Sequence, residues 1–171
     1  MKKGYTQVYT GNGKGKTTAA LGLAIRAAGA GLKVFISQFI KMGDFSEIKS
    51  LKRFSDLITV EQFGFGRFDD KPLPRDIEAA QKGLERVKSV ILSDEYDVII
   101  LEEANVAVKH GLFSEQELVD LIVNKPDDKE LVITGRGASP QIIEQADLVT
   151  EMKPVKHYYH KGVRARIGIE K

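Results

Sequence analysis

The sequence contains no cysteine. Disulfides, thiolate metal sites and thiol nucleophiles are therefore excluded. No apolar run approaches the roughly 18–20 residues that a membrane-spanning helix needs. The opening stretch, MKKGYTQVYTGNGKGK, is too poor in apolar residues for a signal peptide. An excess of either charge is missing too: 26 Lys and Arg stand against 24 Asp and Glu, a net charge of +2. That balance argues against a nucleic-acid binder with a strong basic field. The three histidines, His110, His157 and His160, lack metal-ligand spacing on one predicted helix, which disfavours a zinc site. These absences lead us to expect a cytoplasmic protein with no membrane or nucleic-acid partner.

What is present suits a single domain spanning residues 1–171. The chain is 42% apolar and 29% charged, and a chain of this length buries roughly two-thirds of its unfolded surface. Strands are predicted at 5–9, 33–40, 57–63, 97–103, 130–137 and 147–152. Helices are predicted at 16–28, 45–53, 74–94, 114–123 and 140–145. The runs DVIILEE and ELVITGRG are continuously apolar rather than alternating, as befits strands buried on both faces of a parallel sheet. The long helix carries a stripe of Ile77, Ala80, Leu84, Val87 and Ile91, spaced at helical intervals, with Pro74 in its first turn. Ser114 and Glu117 make a capping box. Alternating strands and helices predict an α/β fold with a parallel sheet.

The stretch TGNGKGKT, Thr10 to Thr17, lies between the first strand and the first long helix. It ends like a phosphate-binding loop but has Thr10 where the usual spacing asks for glycine. One reading is a tight strand-to-helix turn. The other is an anion site: glycines let backbone N–H groups converge, and the helix N-terminus adds a positive dipole end. Lys14 and Lys16 repel each other in such a turn unless an anion lies between them. Lys16 would reach outer phosphates and the Thr17 hydroxyl would hold magnesium. Glu102 and Glu103, at the end of a buried strand, are either two solvated acids or carboxylates serving a metal.

In open parallel sheets, ligands bind at the carboxyl ends of the strands. Those ends present Gln38 and Lys41, then Phe63, Phe65, Arg67 and Phe68, then Glu102, Glu103 and Asn105, then Arg136 between two glycines. Arg136 is either a phosphate clamp or half of an ion pair. Phe65 and Phe68, in an otherwise polar loop, are either core residues or the face for a flat apolar ligand. His157 and His160, among Lys156 and Lys161, are either a phosphate or carboxamide contact or a solvated basic face, and the second reading is favoured.

Taken in order, TGNGKGKTTAA, QFIK, the GF of the 64–74 loop, LEEANVAVKHGL, VITGRGASPQIIEQADLVTEMKPVKH and KGVRARIGIE resemble the corrinoid adenosyltransferases of the CobA/CobO/BtuR type. The resemblance covers essentially the whole chain. It implies a P-loop NTPase-like, RecA-type α/β fold, a mostly parallel sheet with helices on both faces. Threonine at the first loop position is usual in that family. The implied reaction leaves the β–γ bond alone: Co(I) of a reduced corrinoid attacks C5′ of ATP, and the whole triphosphate departs. By match, ATP is bound by Asn12, Gly13, Lys14, Gly15, Lys16, Thr17, Thr18 and Arg136. Lys16, Thr17 and Glu103 carry the catalysis, with Thr17 and Glu103 sharing Mg²⁺. Phe65 and Phe68 face the corrinoid. Electrons come from a separate donor, and a homodimer is implied.

The chain departs from the family pattern in three places. It has Glu102-Glu103 where Asp-Glu is usual, and Arg67 where some members carry a second loop aromatic. It also begins just before its first strand, whereas some members have a preceding segment that covers the site. The alternative from another class is a P-loop ATPase or small-molecule kinase acting at the γ-phosphate, with Glu102 as the base. A nucleotide- or corrinoid-binding protein without turnover is a third reading.

Overall fold

A computed structural model describes residues 2–66 and 71–171. Six strands form one sheet: β1 (Thr6–Thr10), β2 (Val34–Gln38), β3 (Ile58–Gln62), β4 (Val98–Glu102), β5 (Glu130–Thr134) and β6 (Leu148–Glu151). Their order is β3-β2-β4-β5-β1-β6, and every pairing is parallel. The connecting helices are α1 (Lys16–Gly29), α2 (Ser46–Leu51), α3 (Pro74–Ile91), α4 (Ala104–Lys109), α5 (Glu115–Val123) and α6 (Pro140–Gln145). This is the P-loop NTPase-like α/β fold expected. Among the described residues, no helix is long and apolar enough to cross a membrane.

The strands are apolar on both faces because each face meets its own helices. Phe35, Ile99, Leu101, Leu131 and Ile133 join a core with α3, α5 and α6. The residues between them, Val34, Ile36, Val98, Ile100 and Val132, join a second core with α1. The period of two along a strand thus sends successive residues into different cores. On the second face the buried core residues of α1 are alanines, Ala20, Ala24, Ala27 and Ala28, with Leu21 and Leu23 partly buried against the same core. Small side chains bring the helix axis close to the sheet, and with it the loop that precedes the helix.

On α3 the predicted stripe is buried at Ala80, Leu84, Val87 and Ile91, but Ile77 is exposed. Gly83 takes a core position that the apolar count passes over. A Cβ there would lie 2.6 Å from the ring of Phe63, so the missing side chain is what lets Phe63 seat on the helix. The α5 capping box forms: Ser114 N donates to Glu117 Oε2 at 2.8 Å, and Glu117 N donates to Ser114 Oγ at 3.2 Å. The short helix α4 was not predicted. It starts directly after β4 at Glu103, whose φ of 61° is the one positive value among described non-glycine residues.

Candidate active site at the carboxyl ends of the strands

The loop from Gly11 to Gly15 joins β1 to α1 and is braced by the residue that follows β6. Met152 N donates to Thr10 O at 2.9 Å, and Gly13 N donates to Met152 O at 2.6 Å. A Cβ at Gly13 would sit 2.7 Å from that carbonyl. Gly11 and Gly15 have φ of 92° and 123°, values side-chain-bearing residues rarely adopt. The glycines therefore answer two demands, close approach and left-handed turns. Lys16 is buried inside the loop and donates to Gly11 O at 2.7 Å and Gly13 O at 2.9 Å. Burial pulls its pKa down, the charge of Arg136 adds to that, and Glu103 opposes it. A lysine held this way is costly to keep charged, and an incoming anion would relieve the cost. Asn12, Lys14 and Thr18 are exposed around the rim.

Facing the first turn of α1 is the end of β4. Glu102 continues the Val98–Ile100 side of the strand, the side that carries α1, so it meets that helix. Thr17 Oγ1 donates to Glu102 Oε1 at 2.7 Å. The resemblance has Thr17 and Glu103 share Mg²⁺; the carboxylate that the Thr17 hydroxyl hydrogen-bonds here is that of Glu102. Glu102 is fully buried, and its Oε1 also lies 3.2 Å from Lys41 Nζ. Its Oε2 has no hydrogen-bond partner among the described residues. Lys41 makes a second bridge of 3.2 Å to Glu47. Desolvation lowers the Lys41 pKa, but Glu102 and Glu47 outweigh it and leave it raised.

Glu103 faces the same space from a strained backbone. Its N–H donates to Thr134 Oγ1 at 3.0 Å, which fixes the left-handed turn. Such a conformation costs on the order of 1 kcal/mol and clusters at functional sites. Burial raises the Glu103 pKa, the charge of Glu102 raises it further, and Lys16, Lys41 and Arg136 counter both. Arg136 stands exposed between Gly135 and Gly137 after β5. The turn is tied to α4 by Asn105 Nδ2, which donates to Gly135 O at 3.2 Å.

At the β3 end the surface turns apolar. Gly64 is buried against Ile40, where a Cβ would lie 2.1 Å from the carbonyl oxygen. Gly66 N donates to the same oxygen at 2.9 Å. Pinned on both sides, Phe65 is held out at 52% exposure, with the Arg75 guanidinium 5.2 Å from its ring centre. An open hollow of about 330 Å³ lies alongside, lined among others by Met42, Phe63, Phe65, Arg75 and Ala79. Phe65 is thus not a core residue. Phe68 and Arg67 lie outside the described residues. His157 caps a turn, its Nδ1 accepting from Tyr159 N at 3.1 Å.

A phosphate-type loop around a buried lysine, two carboxylates and an exposed aromatic hollow now share the carboxyl ends of the strands. Residues 2–170 match the family described as ATP:corrinoid adenosyltransferase BtuR/CobO/CobP. The chain belongs to this adenosyltransferase family. A corrinoid adenosyltransferase from Pseudomonas aeruginosa is 35% identical over 171 residues, covering 99% of this chain and 84% of that protein. One from Escherichia coli K12 is 37% identical over 171 residues, covering 99% and 86%. The flagellar accessory protein FlaH from Methanocaldococcus jannaschii has a solved structure of similar fold. Its TM-score is 0.56 at 11% identity, over 88% of this chain and 72% of that one.

Within this adenosyltransferase chain, the fold brings Lys16, Thr17, Glu103 and Arg136 to one end of the sheet and sets Phe65 apart near β3. Sequence reasoning noted Lys41 without a role. Its place beside Glu102 was signalled by position alone, at the end of the strand next to β4. The pairing of Glu102 with Thr17 follows from strand parity. No local signal marked the contacts that the C-terminal residues make with Lys14.

Proposed function

We infer that this chain transfers the adenosyl group of ATP to the cobalt of a reduced corrinoid and releases triphosphate. The observation that carries this is the phosphate loop, with Lys16 inside it and Thr17 against Glu102, in a chain matched to the family along its whole length. The Co(I) electron pair forms the bond to C5′ as the C5′–O bond breaks. The leaving triphosphate keeps that bond's electrons, so the catalytic task is to stabilise negative charge growing on it. Lys16, Lys14, Arg136, Thr18 and the backbone N–H groups from Asn12 to Thr17 are suited to that task. No protein nucleophile is required, and the protein contributes positioning and exclusion of water.

The Thr17 hydroxyl, the Oε2 of Glu102, which is unpartnered among the described residues, and the nearby Glu103 carboxylate are hard oxygen donors that fit a magnesium ion. Bound there, Mg²⁺ would neutralise charge on the leaving group. Phe65, with Phe68 by resemblance, would supply an apolar wall against the corrin, discouraging an axial ligand. We further propose that the enzyme acts in the cytoplasm as a homodimer and takes electrons from a separate donor. No observation favours the ATPase or kinase alternative. Glu102, its candidate base, is engaged at Oε1 by Thr17 and Lys41.

The test is an anaerobic assay with ATP, Mg²⁺ and chemically reduced cobalamin. The expected result is loss of the Co(I) absorbance with one triphosphate per light-sensitive Co–C product. ADP and phosphate without alkylated cobalt would overturn the reading.

A further inference from the structure

The last residues of the chain fold back on the phosphate loop. Three donors converge on Oε1 of Glu170: Lys14 Nζ at 2.9 Å, Arg166 Nη2 at 3.0 Å and the Tyr158 hydroxyl. The second oxygen, Oε2, accepts from Arg166 N at 2.9 Å and Nε at 3.2 Å. Lys14 Nζ also donates to Ile169 O at 3.1 Å. Its ammonium lies 5.8 Å from the Tyr158 ring centre, and the Arg166 guanidinium lies 5.2 Å from it. Arg166, Tyr158 and Lys14 together hold the Glu170 carboxyl well below the usual carboxylate range.

Two cations and a hydroxyl meeting at one anionic oxygen make a phosphate-type binding arrangement. One of those cations belongs to the phosphate loop itself. The carboxylate that fills the arrangement comes from 156 residues away in sequence. We propose that Lys14, Tyr158 and Arg166 form an anion subsite for the triphosphate, and that Glu170 plugs it when no nucleotide is bound. The ligand class is a polyphosphate, whether the tail of ATP or the released triphosphate. This rests on the reading above that triphosphate lies at the phosphate loop. A phosphate oxygen is an anionic acceptor like a carboxylate oxygen and, in a chain of phosphates, has more charge behind it. The side chains of Lys14 and Arg166 are 41% and 53% exposed and that of Glu170 is 19% exposed, and ion pairs whose cations face solvent in this way are weak. A weak plug is one that a ligand can displace.

The experiment is calorimetric titration of inorganic triphosphate, and separately of ATP, into wild type, Lys16→Ala, Glu170→Gln and Arg166→Met. Glu170→Gln removes the charge and keeps the shape. It is expected to tighten triphosphate binding by about three- to tenfold, and Arg166→Met to weaken it by a similar factor. Tightening for triphosphate alone would assign the subsite to the product; tightening for both ligands, to the polyphosphate end of ATP as well. Hydrogen exchange over residues 158–171 should speed up when triphosphate is added to wild type. Unchanged or weaker binding by Glu170→Gln would overturn the proposal and leave Glu170 as a brace for the tail. Should Arg166→Met fail to fold, Tyr158→Phe takes its place, with the same weakening expected. If wild type binds triphosphate and Lys16→Ala does not, a null result at 170 and 166 sinks this inference alone. If wild type does not bind, or Lys16→Ala binds equally well, the reading of the phosphate loop falls and takes this subsite with it.

Discussion

From β1 to β4 the site is built from buried charge: Lys16 is 7% exposed and Glu102 is fully buried. At the β3 end it is built from an aromatic at 52% exposure beside an open hollow. The first end holds its geometry by itself, because buried ionic groups in low dielectric need their partners in place before any ligand arrives. The second end holds only its backbone, through Gly64 and Gly66 on the Ile40 carbonyl. Its apolar surface gains free energy only when a ligand covers it, at about 25 cal/mol per Å². One end is prepared to stabilise charge at once; the other waits for a partner.

The largest effect should come from breaking the charged end. Lys16→Ala is expected to lower turnover by about 100-fold or more, the scale seen when one donor to a developing anion is removed. Thermal stability should hold or rise, since a buried ammonium is removed along with its desolvation. Single-turnover rates from Co(I), with a melting curve, check both halves. Retention of turnover within about threefold would mean that the buried end is not where charge develops.

The next effect separates the two glutamates. Glu102→Gln is expected to weaken Mn²⁺ binding to the ATP complex by about 10- to 100-fold, the range for losing a group that orients or ligates a metal. Glu103→Gln should do the same if both carboxylates serve the ion. Electron paramagnetic titration of Mn²⁺ reads this without turnover. Unaltered affinity in Glu102→Gln would assign that residue to Thr17 and Lys41 alone.

The apolar end should respond differently. Phe65→Ala is expected to lower turnover sharply, by about tenfold or more, when the reaction starts from Co(II), and less when Co(I) is supplied chemically. That magnitude follows from the roughly 1.5–3 kcal/mol carried by a buried aromatic side chain. Equal losses from both starting states would remove the proposed role. Gly64→Ala sharpens the same contrast. Its Cβ would strike the Ile40 carbonyl, 2.1 Å away, so corrinoid affinity should fall while ATP affinity stays.

The same contrast decides what the sequence could reveal. The charged end was legible because it obeys local rules: a glycine-rich turn, a helix start, a carboxylate after a buried strand. Even the pairing of Thr17 with Glu102 was available, since Ile100 and Glu102 lie two residues apart on one strand. Resemblance speaks to a different question, the sharing of Mg²⁺ by Thr17 and Glu103. Helix α4 was missed because it starts from the left-handed Glu103 without a capping residue. Ile77 was misplaced because periodicity counts apolar residues and cannot see that Gly83 is the position Phe63 fills. The contacts of Lys14 with Tyr158 and Glu170 span 144 and 156 residues, and no local pattern reports them.

The smallest effect belongs to a residue that serves neither end. Ser114 caps α5 by accepting from Glu117 N at 3.2 Å, and Glu117 answers at the Ser114 N–H. Leu118, Leu121 and Ile122 then enter the core on the α3 face. Ser114→Ala removes both bonds of the Ser114 hydroxyl, from Glu117 N and to Glu117 Oε2, and should cost about 1 kcal/mol, or roughly 2–4 °C in melting temperature for a chain of this length. Kinetics from Co(I) and from Co(II) should both stay at wild-type values. This makes the variant a control on the comparison: it loosens the scaffold without touching buried charge or exposed aromatic. A loss of turnover here as large as in Phe65→Ala would mean that the apolar end depends on general rigidity, not on the ring that Gly64 and Gly66 hold out.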